Sequence, residues 1–93
     1  MIKNFDCKET EKLFNRNTNT NFPPPVQKGA MRKLLVLDAA ISLNDLRVPP
    51  SNRLEKMQGK RKKEHSIRIN KKWRISFVWR QGSAYKVKIS DYH

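Results

Sequence analysis

The chain has 93 residues, 37% of them apolar, with 21 Lys and Arg against 8 Asp and Glu. That length suits one domain spanning residues 1–93, able to bury roughly two-thirds of its unfolded surface, and the clustered apolar residues exclude a disordered chain. A single cysteine, two histidines and no apolar run longer than "LLVL" exclude an internal disulfide, a Cys/His zinc site and a membrane span.

"MIKNF" reads as a short opening strand. The stretch "MIKNFDCKET" has no long apolar core, so no signal peptide is expected and the reading is a reduced, cytoplasmic protein. "KETEKLF" places Leu13 and Phe14 on one side of a brief helix. "NRNTNTNFPPP" is a loop, because Asn and Thr compete locally for backbone hydrogen bonds and three prolines forbid regular pairing. Pro25 can occupy the first turn of the next helix, where its missing N–H costs nothing.

From Val26 to Ile41 the periodicity is helical. Val26, Ala30, Leu34, Leu37 and Ile41 recur every three or four residues, Met31 and Leu35 widen the stripe, and Gln27, Lys28, Arg32 and Lys33 fall largely on other faces. "SLNDL" adds one more helical turn capped by Ser42, and "RVPPSN" ends it.

Residues 53–93 read as strands. His65, Ile67 and Ile69 alternate with Ser66, Arg68 and Asn70; Trp73, Ile75, Phe77 and Trp79 alternate with Arg74, Ser76 and Val78; Tyr85, Val87 and Ile89 alternate with Lys86, Lys88 and Ser90. Short connections, including the Gly-containing turn "RQGS", make these an antiparallel meander, and "RLEKM" is a candidate fourth strand. The expected class is α/β (α+β), with two helices packed on one face of a small twisted antiparallel sheet. Arg68, Arg74, Lys86 and Lys88 are then expected on the opposite, uncovered face.

The charge is lopsided. Residues 1–46 hold seven basic and five acidic side chains, a net of +2, whereas residues 47–93 hold fourteen basic and three acidic, a net of +11. Self-repulsion on this scale disfavours the compact state, so a polyanion, RNA or DNA or a ribosome, is the expected partner.

The ordered set "NRLE", the G-x-R loop, "SIRIN", "WRI-x-F-x-W", "G-x-AY" and the terminal "DYH", together with "MIKNF", "RKLLVLDAA" and "LRVPPSNRLE", resembles the HigB toxins of bacterial toxin–antitoxin systems, within the RelE-like group. The resemblance covers nearly the whole chain. It implies a compact RelE-like fold and an endoribonuclease that enters the A site of the 70S ribosome and cuts mRNA there. It also implies a neutralising HigA-like helix-turn-helix antitoxin, through which the pair meets operator DNA. The chain departs from the family at three positions. Gln58 stands where many relatives have Lys, and Lys60 where many have Asp. Glu55 occupies a place where some members carry a catalytic His, so it does not inherit that role.

Cleavage of RNA without a metal or other cofactor needs a base on the 2′-hydroxyl, cations on the phosphate and an acid for the leaving oxygen. No cluster of carboxylates suits two-metal hydrolysis, so no metal site is expected. His93 is the candidate general acid or base, since its ordinary pKa lies near neutral pH. Tyr92 is a candidate to stack on a base or donate to the phosphate, against an ordinary edge-strand role. Asp91 is a candidate to orient His93 or another donor, against a solvated strand end. Arg74 is the candidate for transition-state charge stabilisation, or for phosphate positioning alone, with Arg68, Lys86 and Lys88 beside it on the phosphate. Lys56, Lys60, Arg61, Lys62 and Lys63 are expected to grip ribosomal RNA, against a merely solvated loop. Glu55 and Gln58 are candidates for supporting roles, with Glu55 expected to pair with a neighbouring Arg. His65, Trp73, Phe77 and Trp79 have the parity of the core.

Overall fold

The computed structural model describes residues 1–17, 20–57, 59 and 63–91. Two helices, α1 (Lys8–Phe14) and α2 (Pro24–Ala39), precede two short 3₁₀ turns, Leu43–Arg47 and Pro50–Asn52. Four strands follow: β1 (Glu55–Lys56), β2 (Glu64–Arg68), β3 (Trp73–Arg80) and β4 (Ser83–Asp91). They form one antiparallel sheet in the order β1-β2-β3-β4, so consecutive strands are neighbours throughout. Among the described residues no helix is long and apolar enough to cross a membrane.

Helix α2 starts on Pro24 and Pro25, whose absent N–H groups fall where a helix has none to satisfy. It buries Val26, Ala30, Leu34 and Leu37, one residue per turn, against the sheet. These pack into one cluster with Ile67, Ile75, Phe77, Val87 and Ile89, while His65, Trp73 and Trp79 are only partly buried on the same side. Each fully buried Leu or Phe here is worth roughly 1.5–3 kcal/mol of transfer free energy.

The expected helix ran to Ile41, but α2 stops at Ala39 and Ile41 is 81% exposed. The local reason is Asp45. Its Oδ2 accepts the backbone N–H groups of both Ile41 and Ser42, at 3.0 and 3.2 Å, turning the chain into the Leu43–Arg47 segment. Leu35, expected to widen the buried stripe, is also 44% exposed.

The opening segment is not a regular strand. It makes two parallel bridges to β4, Ile2 with Ala84 and Phe5 with Val87. Four backbone hydrogen bonds of 2.8–3.2 Å between residues 1–6 and β4 cover that edge, which would otherwise invite pairing with another chain. Between the bridges β4 carries a bulge. Phe77 faces both Lys86 and Val87, since Ser76 pairs with Lys88 and Val78 with Tyr85. Lys86 takes the extra place with φ +53°, and its N–H donates to Asn4 Oδ1 at 2.6 Å.

The bulge overturns one expectation. Simple alternation sets Tyr85 on the side of Val87 and Ile89, yet the inserted residue puts it opposite Val78 on the uncovered face, with Arg80 stacked 4.7 Å from its ring centre. The β3–β4 connection is a two-residue turn, Gln81–Gly82, with φ of +50° and +75°; such a turn suits the twist of the strands and favours glycine at its second position.

Candidate nucleic-acid interface

The uncovered face is ordered in rows by the register. Glu55, Ser66, Ser76 and Lys88 form one row across all four strands; Arg68, Arg74 and Ser90 form the next. β4 runs one residue past Ser90, to Asp91 opposite Trp73.

Arg74 sits at the centre and is not presented as a free cation. It is only 7% exposed. Its Nε donates to Ser66 Oγ at 2.9 Å, and its Nη2 donates to the carbonyls of Arg53 at 2.7 Å and Ser66 at 3.4 Å. Glu55 Oε2 lies 3.8 Å from the same nitrogen, the pairing expected for Glu55. The expectation of an open cationic face therefore fails at Arg74. Alternation assigns a side chain to a face, but what closes over it depends on partners distant in sequence. Here these are β1 and Arg53, held in the left-handed region at φ +45° with its carbonyl on the guanidinium. The consequence is a positive charge fixed in place by neutral acceptors and one exposed carboxylate, with little reorganisation left to make.

Arg68, directly opposite Arg74, is half-buried and donates from Nε to the carbonyl of Asn70 at 3.0 Å. Lys88 is exposed in the adjoining row, and Lys86 is exposed at the bulge. Asp91 is exposed opposite Trp73, on the other parity from Arg74. Lys56 and Lys63 do not join this group. They line a separate cavity of about 460 Å³ with His65, Val78, Trp79 and Arg80. His65 stacks on Phe77 there, and burial, followed by the charge of Lys56, holds its imidazole below the ordinary range. Gln58, Lys60, Arg61, Lys62, Tyr92 and His93 lie outside the described residues. Gly59, between two of them, has φ +70°, a backbone that suits glycine at this point of the basic loop.

Sequence reasoning missed Ser66 and Arg53, which hold Arg74. Ser66 was visible as the residue two before Arg68 on the same face, but nothing in the sequence marks a backbone carbonyl as a guanidinium acceptor. It also left Arg32 and Lys33 without a role.

A helix pair on one face of a four-stranded antiparallel meander, with a polar row of Arg, Ser and Lys on the other, is the architecture of a RelE-like toxin. The crystal structure of a YafQ mutant from E. coli matches it with a TM-score of 0.63 over 98% of this chain and 93% of that one; at 11% identity the likeness is one of fold. A family model described as the RelE-like toxin of type II toxin–antitoxin system HigB matches residues 3–93, and the chain belongs to that family. Toxin HigB-1 of Vibrio cholerae is 45% identical over 62 residues, 67% of this chain and 65% of that protein. The match thus spans slightly under two-thirds of that relative's length. Endoribonuclease HigB of Proteus vulgaris is 29% identical over 93 residues, the full length of both chains.

Proposed function

We propose that the chain is the toxin of a type II toxin–antitoxin system and acts as a ribosome-dependent endoribonuclease on translated mRNA. The observation that carries this reading is the fixed Arg74 guanidinium beside Arg68, at the end of the sheet where β4 closes with Asp91 opposite Trp73. The RNA's own 2′-hydroxyl is the nucleophile and attacks the adjacent phosphorus. The bond to the 5′-oxygen breaks, leaving a 2′,3′-cyclic phosphate and a 5′-hydroxyl. Arg74 and Arg68 offset the charge that builds on the phosphate oxygens. His93 serves as the proton-transfer group, Asp91 as its orienting neighbour and Tyr92 as a base platform or phosphate donor. Lys88 holds the strand on the open face, Lys86 adds positive charge at the bulge, and Lys56, Lys63 and the loop cations Lys60, Arg61 and Lys62 engage ribosomal RNA. Few acid–base groups are available, so the ribosome completes the site by fixing the in-line geometry.

The partner that silences this activity is a HigA-like helix-turn-helix antitoxin, whose complex with the toxin meets operator DNA, and the compartment is the cytoplasm. A second reading, a basic RNA-binding module without catalysis, draws on the extent to which Arg74 is engaged by Ser66, Arg53 and Glu55. The two separate on purified translating ribosomes. Programmed with a defined mRNA, they should yield new 5′ ends inside the reading frame when the protein is added, while the same RNA without ribosomes stays intact at physiological salt. Sequence-specific cutting of the naked RNA contradicts ribosome dependence, and binding without cutting on ribosomes supports the second reading.

A further inference from the structure

Beyond the open face, cationic side chains concentrate in a cavity of about 470 Å³ between α2, the Pro50–Asn52 turn and the β2–β3 turn. Arg32, Lys33, Arg53, Arg68 and Lys71 line it, and among the described residues no acidic side chain does. Lys33 is anchored from behind this lining. Asn52 is fully buried, and its Nδ2 donates to the carbonyls of Leu46 and Val48 at 3.2 and 3.3 Å. Those two bonds decide which end of the amide faces Lys33. They leave Oδ1 to accept from the Lys33 ammonium, which holds that side chain in place. A neutral oxygen takes one of three ammonium donors and none of the charge. Lys33 is half-buried, and burial, followed by the charge of Arg32, holds its pKa below the ordinary value. Among the described residues no anion lines the cavity, and a bound anion there would favour the charged form of Lys33.

Arg68 belongs to this cavity and also to the row that holds Arg74. The cavity and the open face are therefore joined through one guanidinium. A polyanion lying on the face can continue into the cavity past Arg68, a continuity that an isolated acidic side chain would not use.

We propose that this cavity is a phosphate subsite for the backbone of the substrate RNA, with Lys33 oriented by Asn52 as its fixed donor and Arg32, Arg53 and Lys71 around it. The inference rests on the reading of the chain as an RNA-acting protein and adds a second anchoring point for the strand. Phosphate contacts of this kind set position and register and carry no base preference.

The test uses the full chain and a short single-stranded RNA made uncleavable by 2′-O-methylation, with affinity measured by fluorescence anisotropy over a range of salt. Arg32→Gln with Lys71→Gln changes two exposed cations and leaves the core untouched; Lys33→Met is made separately, and Lys3→Gln with Lys8→Gln serves as the control. The expected result is a loss of about tenfold or more in affinity for the double variant, equal for unrelated sequences, with a salt slope shallower by roughly 0.7 per phosphate released. Lys33→Met should show the same shallower slope, and the control should match wild type. Wild-type affinity and slope in both cavity variants overturn the subsite, even if the protein cuts mRNA on ribosomes. A loss confined to antitoxin binding overturns it as well, by assigning the cavity to a protein partner. If the cavity variants lose oligonucleotide affinity while wild type fails to cut on ribosomes, the subsite stands and the nuclease reading falls.

Discussion

The two faces of this sheet follow different rules. On the covered face Ile67, Ile75, Phe77, Val87 and Ile89 meet the α2 stripe in one apolar cluster, and each contributes through burial that depends little on direction. On the open face the side chains in reach are Glu55, Ser66, Arg68, Arg74 and Lys88, and what they do depends on individual hydrogen bonds and their geometry. The first face holds the second in register. The second holds charges that the fold alone does not require. Substitutions on the covered face should therefore be read in stability, and those on the open face mainly in function.

The largest effect expected is on the covered face. Phe77→Ala opens a cavity at a fully buried position and should cost about 3–5 kcal/mol of folding stability in urea titrations. A loss under 1 kcal/mol would mean that the core is looser than the packing described here. Arg74→Ala sharpens the contrast because Arg74 belongs to both regimes. It leaves Ser66 Oγ and the Arg53 carbonyl without their donor, and should cost about 1–3 kcal/mol. It should also abolish cleavage under conditions where the variant stays folded. Arg74→Lys should recover part of the stability and little of the cleavage, since a single ammonium cannot span Ser66 and Arg53 as the planar fork does. Equal rescue of both would place Arg74 with the packing residues.

A smaller effect lies where the faces exchange residues. Lys86 holds the left-handed backbone of the bulge without being glycine. Lys86→Gly should leave the fold intact and raise stability by up to about 1 kcal/mol, seen as a higher urea midpoint with an unchanged slope. A fall in stability would show that the Lys86 side chain matters to the fold. The smallest effect is in pH. His65 is held below its ordinary pKa, so the unfolded chain takes up that proton at a higher pH than the folded one. Stability should fall as pH drops through about 6.5 and level off below the folded-state value. His65→Phe, which keeps the stack on Phe77, should flatten that dependence, and an unchanged profile would assign it to other groups.

The covered face was legible in the residues because burial leaves a periodic trace. The stripe Val26, Ala30, Leu34, Leu37 and the alternation of Ile67, Ile75 and Phe77 predicted both the helix and the strands that it covers. The trace failed at Ile41, where a side chain four residues away redirects the backbone, and at Tyr85, where one inserted residue reverses the parity. Neither event changes local composition. On the open face, alternation placed Arg68, Arg74 and Lys88 together, and the register agrees. The burial of Arg74 was not legible, since it depends on the carbonyl of Arg53, twenty-one positions earlier. The cavity around Lys33 was hidden for a similar reason. Its cations come from α2, the Pro50–Asn52 region and the β2–β3 turn, and only the fold brings them together.

Under the proposed function mRNA is cut at the Arg68–Arg74 end of the open face, with His93 as the proton-transfer group. The most direct measurement is tightly controlled expression in bacteria of wild type beside His93→Ala, with mRNA 5′ ends mapped by primer extension and the folded state of both proteins checked. Wild type should arrest growth and produce new in-frame ends, and His93→Ala should do neither. If His93→Ala cuts as wild type does, or if both proteins fold and neither cuts, the claim is contradicted.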